Sequence, residues 1–153
     1  MLIAALLMNA DNIRCHDAST SKKRIIENLS LLLAANTEVA SADAIFQALF
    51  ERERLGSTGL GKGVAIPHAR IPGITHTIAA MMTLATPVNY ESADNKPVDI
   101  AFGLLVPEDG SEQHLQQLAR LVSLFREEET CTKIRQATDA EQIFEILLAS
   151  DDD

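Results

Sequence analysis

Two apolar stretches, 78–84 and 99–106, are long enough and uninterrupted enough to be central β-strands. A strand buried on both faces needs a helical layer on each side, so the rest of the chain must supply amphipathic helices. It does. Ile25, Ile26, Leu29, Leu32 and Leu33 recur at helical spacing after Ser21, and Ile45, Phe46, Leu49 and Phe50 do so after Ser41. Leu115, Leu118, Leu121, Val122 and Phe125 mark a longer helix starting near Ser111. The segment 130–137 fits a short helix, and Thr138-Asp139-Ala140-Glu141 reads as a capping box before Ile143, Phe144, Leu147 and Leu148. Shorter strands are expected over 13–16 and 64–66, the second stopped by Pro67. Helices and strands interleave without repeats or low-complexity linkers. The expectation is an α/β fold with a mixed β-sheet flanked by helices on both faces. With 153 residues, 46% of them hydrophobic, the chain suits a single domain over 1–153.

Four of the seven glycines, Gly56, Gly59, Gly61 and Gly63, stand just ahead of His68. No Asp or Glu occurs over 54–90, although the chain carries 22. Glycine-rich backbone can turn several N–H groups toward one point, and Arg52, Arg54, Lys62 and Arg70 add positive charge around it. A phosphate-handling site with His68 at its centre accounts for this pattern. Pro67 stiffens the approach to His68, so the imidazole should project from a strand end beside the glycine turn.

Competing chemistries fit less well. Gly56, Gly61 and Lys62 match most of a nucleotide-binding P-loop, but Gly63 stands where a hydroxyl should hold magnesium. The run also leads into a strand, not from strand to helix. A serine hydrolase built on Ser57 and His68 lacks the G-x-S-x-G elbow and a nearby acid. A net charge of −9 argues against a nucleic-acid partner. Cys15 and Cys131 form neither a zinc ladder nor a disulfide framework and fit packing thiols in a reducing cytosol. The apolar start, 1–8, has no basic flank and is too short to span a bilayer; it reads as a packed segment, with no membrane insertion. His114 shares a helix face with Leu118, Leu121 and Phe125, which by itself suits a buried core histidine. His16 and His76 lack a comparable setting, and His76 follows a Pro72-Gly73 turn as a loop residue would.

Over 52–68, the stretches Arg-Glu-Arg-Leu-Gly-Ser-Thr-Gly-Leu-Gly and Ala-Ile-Pro-His closely resemble the active-site segment of enzyme IIA domains of the bacterial phosphotransferase system. The class is the one serving fructose, mannitol and nitrogen regulation. The likeness extends to Ser21-Lys22-Lys23, to Asp94-Asn95-Lys96-Pro97-Val98-Asp99, to Leu104-Leu105-Val106-Pro107 and to His114-Leu115. The Gly-Ser-Thr-Gly-Leu-Gly form of the loop is most similar to the nitrogen-type, regulatory branch. Ala69-Arg70 replaces the family's more usual Gly-Lys, keeping a small residue and a charge.

The resemblance implies that His68 accepts a phosphoryl group from a phosphohistidine on an HPr-like phosphocarrier protein. It also implies that His114 and Arg52 assist as further active-site residues. The glycine-turn amides at Gly59 and Gly61 would help hold the phosphoryl oxygens, while Ser57 and Thr58 either donate to those oxygens or only cap the turn. A carbonyl partner on Nδ1–H would leave Nε2 of His68 to attack. No metal or cofactor is called for, because the donor phosphohistidine is already activated. The regulatory branch implies a cytoplasmic protein that binds a target according to its phosphorylation state. The alternative is a fructose- or mannitol-type transport component passing the phosphoryl group to a IIB domain.

Overall fold

The structure, a computed structural model, describes residues 2–109 and 112–150. The chain opens with helix α1 (Leu2–Leu7), whose Ile3 and Leu7 are buried. It is followed by a short 3₁₀ turn and strand β1 (Ile13–Asp17). Ser21 and Ser41 act as N-caps: their hydroxyls accept N–H bonds from Arg24 at 3.2 Å and Ala44 at 3.1 Å, starting α2 (Lys22–Ala34) and α3 (Ala42–Leu55). The glycine-rich run then folds into strands. β2 (Gly59–Gly61) and β3 (Val64–Ala65) form an antiparallel hairpin closed by Lys62 and Gly63, both at positive φ, 57° and 87°. β4 (His68–Ile71), β5 (Ile78–Val88) and β6 (Val98–Pro107) follow, and α4 (Glu112–Phe125), α5 (Glu128–Gln136) and α6 (Ala140–Ser150) complete the fold.

β5 and β6 are the central strands, paired antiparallel, with β1 parallel to β5 and with β3 and β4 parallel to β6. Side chains alternate between two cores. On one face Ala65, Ala69, Ala80, Met82, Ala101 and Leu105 meet Ile25, Ile26, Leu29 and Leu33 of α2 and Ile45 and Leu49 of α3. On the other, Val64, Ile66, Met81, Ile100, Phe102 and Leu104 meet α1, α4, α5 and α6 through residues such as Leu7, Leu121, Phe125, Ile134 and Ile143. Each fully buried aliphatic contributes about 1.5–3 kcal/mol, so neither helical layer is dispensable. The α/β fold with a mixed sheet between helices is therefore observed. Among the described residues no helix is long and apolar enough to cross a membrane.

Two local expectations need correction and one needs extension. β3 stops before Pro67, as expected, but the chain then resumes along β6 as β4 in the same register, Val64 opposite Ile100 before the proline and His68 opposite Leu104 after it. Pro67 lacks an N–H and interrupts the ladder, but its carbonyl still accepts from Leu104 N at 3.0 Å, so the chain resumes as a strand. The cap of α6 sits one residue later than read, because Asp139 accepts from Gln142 N at 2.9 Å and the Gln142 side chain reaches back to Thr138 N at 2.8 Å. The glycine run is a strand pair rather than an open turn.

Gly59 is required for space rather than for its backbone angle. A Cβ built there would lie 2.2 Å from Ser92 Oγ and 2.8 Å from Ser92 Cβ, in the loop that follows β5. Ser92 is itself buried, and its hydroxyl has no hydrogen-bond partner among the described residues. Gly59→Ala should therefore cost about 1–3 kcal/mol of stability in urea unfolding, as overpacking does. Adding Ser92→Gly should recover most of that loss. Equal stability of Gly59→Ala and the parent chain would show that the hairpin does not pack on this loop as described.

Candidate functional site

His68 is the first residue of β4, just past the point where Pro67 breaks the ladder. Along this edge the carbonyl of Pro67 faces β6, while Ile66 faces the other way and donates its N–H to Thr58 O at 3.0 Å. The Ile66 carbonyl is thus left for the ring of the residue two positions on, and His68 Nδ1 lies 2.7 Å from it. Only a protonated Nδ1 can make that bond, so the neutral ring carries its lone pair on Nε2. Burial is the main influence lowering the His68 pKa below its usual value. The Arg52 guanidinium works in the same direction, while the Ile66 carbonyl and Glu53 oppose it. The net shift is downward, favouring neutral imidazole at neutral pH.

The alternation of β4 puts His68 and Arg70 on the same face, opposite Leu104 and Val106 of β6. These four side chains form one wall of a cavity of about 260 Å³. Helix α4 forms the facing wall with His114, Leu115, Gln117 and Leu118, and Gln117 accepts a hydrogen bond from Thr77 at 2.9 Å. Arg52 completes the lining from the last turn of α3, its Nη1 held by the carbonyl of Gly56 at 2.8 Å. None of the described lining residues is acidic. The volume lies below the roughly 300–1,000 Å³ usual for drug-sized ligands and suits a small anionic group between cationic and imidazole side chains.

Four of the residues singled out from sequence, His68, His114, Arg52 and Arg70, thus meet around one cavity. His114 is half-buried there rather than sunk in the core. The others lie outside the cavity lining. Thr58 is buried and gives both its N–H, at 3.1 Å, and its hydroxyl to the carboxylate of Glu53. Ser57 Oγ accepts from Gly59 N at 3.1 Å, and Gly59 and Gly61 belong to the hairpin strand β2. Lys62 points elsewhere: its N–H goes to Asp94 at 3.0 Å and its amine is 3.9 Å from Glu128. Arg54 forms an exposed pair with Glu51 at 3.0 Å. His16 and His76 are exposed and are not among the cavity-lining residues.

One feature escaped the sequence reading: the acid-free window is not acid-free in space, because Glu53 and Asp94 fold against the glycine hairpin. Arg70, expected to add positive charge around the site, does line the cavity, and the reason is that it shares a face of β4 with His68.

The chain is similar to known proteins over most of its length. The chain is 39% identical over 128 residues to a nitrogen regulatory protein of Pseudomonas aeruginosa, covering 84% of this chain and 83% of that one. The crystal structure of nitrogen regulatory protein IIA-Ntr from Neisseria meningitidis superposes with a TM-score of 0.89 at 37% identity, covering 96% of this chain and 99% of that one. The Escherichia coli mannitol IIA shares the fold, with a TM-score of 0.75 at 19% identity over 91% of this chain and 97% of that one. The family model described as phosphoenolpyruvate-dependent sugar phosphotransferase system, EIIA 2, matches residues 6–150, and it is to this family that the chain belongs.

Proposed function

We propose that the protein is a phosphoryl carrier of the phosphotransferase system, accepting the group on Nε2 of His68 from a histidine of an HPr-like protein. The observation that carries this reading is the 2.7 Å contact between His68 Nδ1 and the Ile66 carbonyl, inside a cavity lined by Arg52 and His114. The bond between phosphorus and the donor nitrogen breaks as the bond to His68 Nε2 forms. If the donor ring keeps its own N–H, no proton has to move. His68 keeps its Nδ1–H throughout, and that N–H becomes a stronger donor to the Ile66 carbonyl once the phosphorylated ring carries positive charge.

The transition state of such a transfer is loose, with charge spread over three equatorial oxygens, so the protein's task is alignment and charge stabilisation. Arg52 supplies a planar, permanently charged fork and His114 a further polar contact. Ser57, Thr58, Gly59 and Gly61 serve this site by shaping the loop and hairpin that adjoin it. Identity to nitrogen regulatory proteins supports a regulatory role. On this reading the protein works in the cytoplasm and binds its target according to the charge at His68. Adding about two negative charges to an acid-free cavity changes what can lie against it without any change of fold.

Incubation with a phosphorylated HPr-like carrier should label His68 alone, with an acid-labile phosphoryl group, and His68→Ala should take up none. Uptake by His68→Ala at the parent rate would overturn the reading. Arg52→Ala and His114→Ala should each fold and slow single-turnover transfer by roughly ten- to a thousandfold, as loss of one stabilising donor does. An unchanged transfer rate in either variant would remove that residue from the site.

A further inference from the structure

Glu53 follows Arg52 in α3, but about 100° around the helix, so one side chain reaches the cavity and the other enters the protein. Glu53 is only 6% exposed and does not line the cavity. An isolated carboxylate in that position would be strongly unfavourable, yet this one meets donors from two other segments. Lys22 Nζ, from the first turn of α2, lies 3.1 Å away. Thr58 gives its N–H at 3.1 Å and its hydroxyl. Tyr90, from the loop after β5, places its hydroxyl 3.4 Å from the Thr58 hydroxyl, with the Lys22 amine 4.6 Å from its ring centre.

These contacts close a turn at both ends. The backbone carbonyl of Glu53 accepts from Gly56 N at 3.1 Å, and its carboxylate accepts from Thr58 N. Between these two anchors lies the Gly56 carbonyl, which holds Arg52 Nη1 at 2.8 Å. A four-carbon cationic side chain has many rotamers, and its placement depends on what its fork is bonded to. We propose that Glu53 is a positioning residue for phosphoryl transfer, acting through Thr58 and the Gly56 carbonyl to hold the Arg52 guanidinium at the His68 cavity. The inference rests on His68 being the phosphoryl acceptor and adds a dependence of Arg52 on a residue that never meets the phosphate. Lys22 and Tyr90 complete the arrangement: the amine balances the carboxylate charge, and the phenol, whose pKa is raised well above its usual value chiefly by burial, remains a donor.

The test compares Glu53→Gln and Thr58→Val in the full chain, by two readouts. The first is the ¹H–¹⁵N spectrum of the Arg52 side chain in unphosphorylated protein; the second is single-turnover transfer from a radiolabelled phosphohistidine carrier. In Glu53→Gln the Arg52 signals should shift and broaden. Transfer should slow by about ten- to a hundredfold, with the half-saturating carrier concentration unchanged within about twofold. Thr58→Val, which keeps the Thr58 N–H but loses the hydroxyl, should move both readouts in the same direction by less, and it decides the matter if Glu53→Gln does not fold. In an Arg52→Ala background Glu53→Gln should cost less than about twofold more. Unmoved Arg52 signals overturn the proposal whatever the rate, and so do full multiplicative losses in the double variant. Phosphate uptake by His68→Ala would instead overturn the acceptor assignment and leave the Arg52 spectrum to be judged by itself.

Discussion

The site depends on a proline placed between two short strands that run along β6 in one register. Pro67 removes one donor from the ladder with β6, but the register on either side is the same, so the strand is broken chemically without being displaced. Because strand carbonyls alternate sides, the residue before the proline turns its carbonyl away from β6, and no further hairpin strand is there to take it. The His68 ring takes it instead. One bond then fixes the ring's rotation, its tautomer and the direction of the remaining lone pair. The strand alternation does the rest, setting His68 and Arg70 toward α4 and the neighbouring alanines, Ala65 and Ala69, toward α2 and α3.

The two faces of the sheet have different tasks. The α4 side carries the cavity, with imidazoles and arginines above an apolar floor of Leu104 and Val106. The α2–α3 side carries the Lys22–Glu53 pair, whose carboxylate holds Thr58 at the start of the glycine hairpin. Arg52 connects them, since it belongs to a helix of one layer and reaches the cavity of the other. The charge pattern follows this division. A chain with net charge −9 keeps carboxylates out of the cavity lining but places two of them, Glu53 and Asp94, directly behind the hairpin as hydrogen-bond acceptors.

Features set by local periodicity were legible in the sequence. The helices capped by Ser21 and Ser41, the two central strands and the layer order all follow from apolar spacing and short-range hydrogen bonding. His68 stood out because glycines and missing acids surround it, and His114 and Arg52 because of a resemblance that the family match now supports as to fold and family. What could not be read required knowledge of distant neighbours. The charged run Glu51-Arg52-Glu53-Arg54 looks uniform along the chain, yet Glu51 and Arg54 pair with each other in solvent, Arg52 enters the cavity and Glu53 is buried against Lys22. Gly59 looked like a source of backbone freedom or phosphate contacts, whereas it is small because Ser92 packs against it from a loop more than thirty residues on. The continuation of the strand past Pro67 was hidden because a proline removes one donor but does not forbid the register that β6 imposes.

The central claim is that the fold holds His68 as a neutral Nδ1–H tautomer with Nε2 free to attack. Nitrogen-detected NMR of selectively labelled histidine, from about pH 5 to about pH 8, tests it directly. Because the folded pKa lies below the usual value, the folded protein binds this proton less readily than the unfolded chain. The His68 contribution therefore disfavours the folded state as pH falls through and below about 6.5. The account predicts a protonated Nδ1 and a bare Nε2 at neutral pH, a titration midpoint below 6.5, and the phosphorus coupling on Nε2 after phosphorylation. An Nε2–H tautomer, a midpoint above 6.5 or phosphorylation at Nδ1 would contradict it.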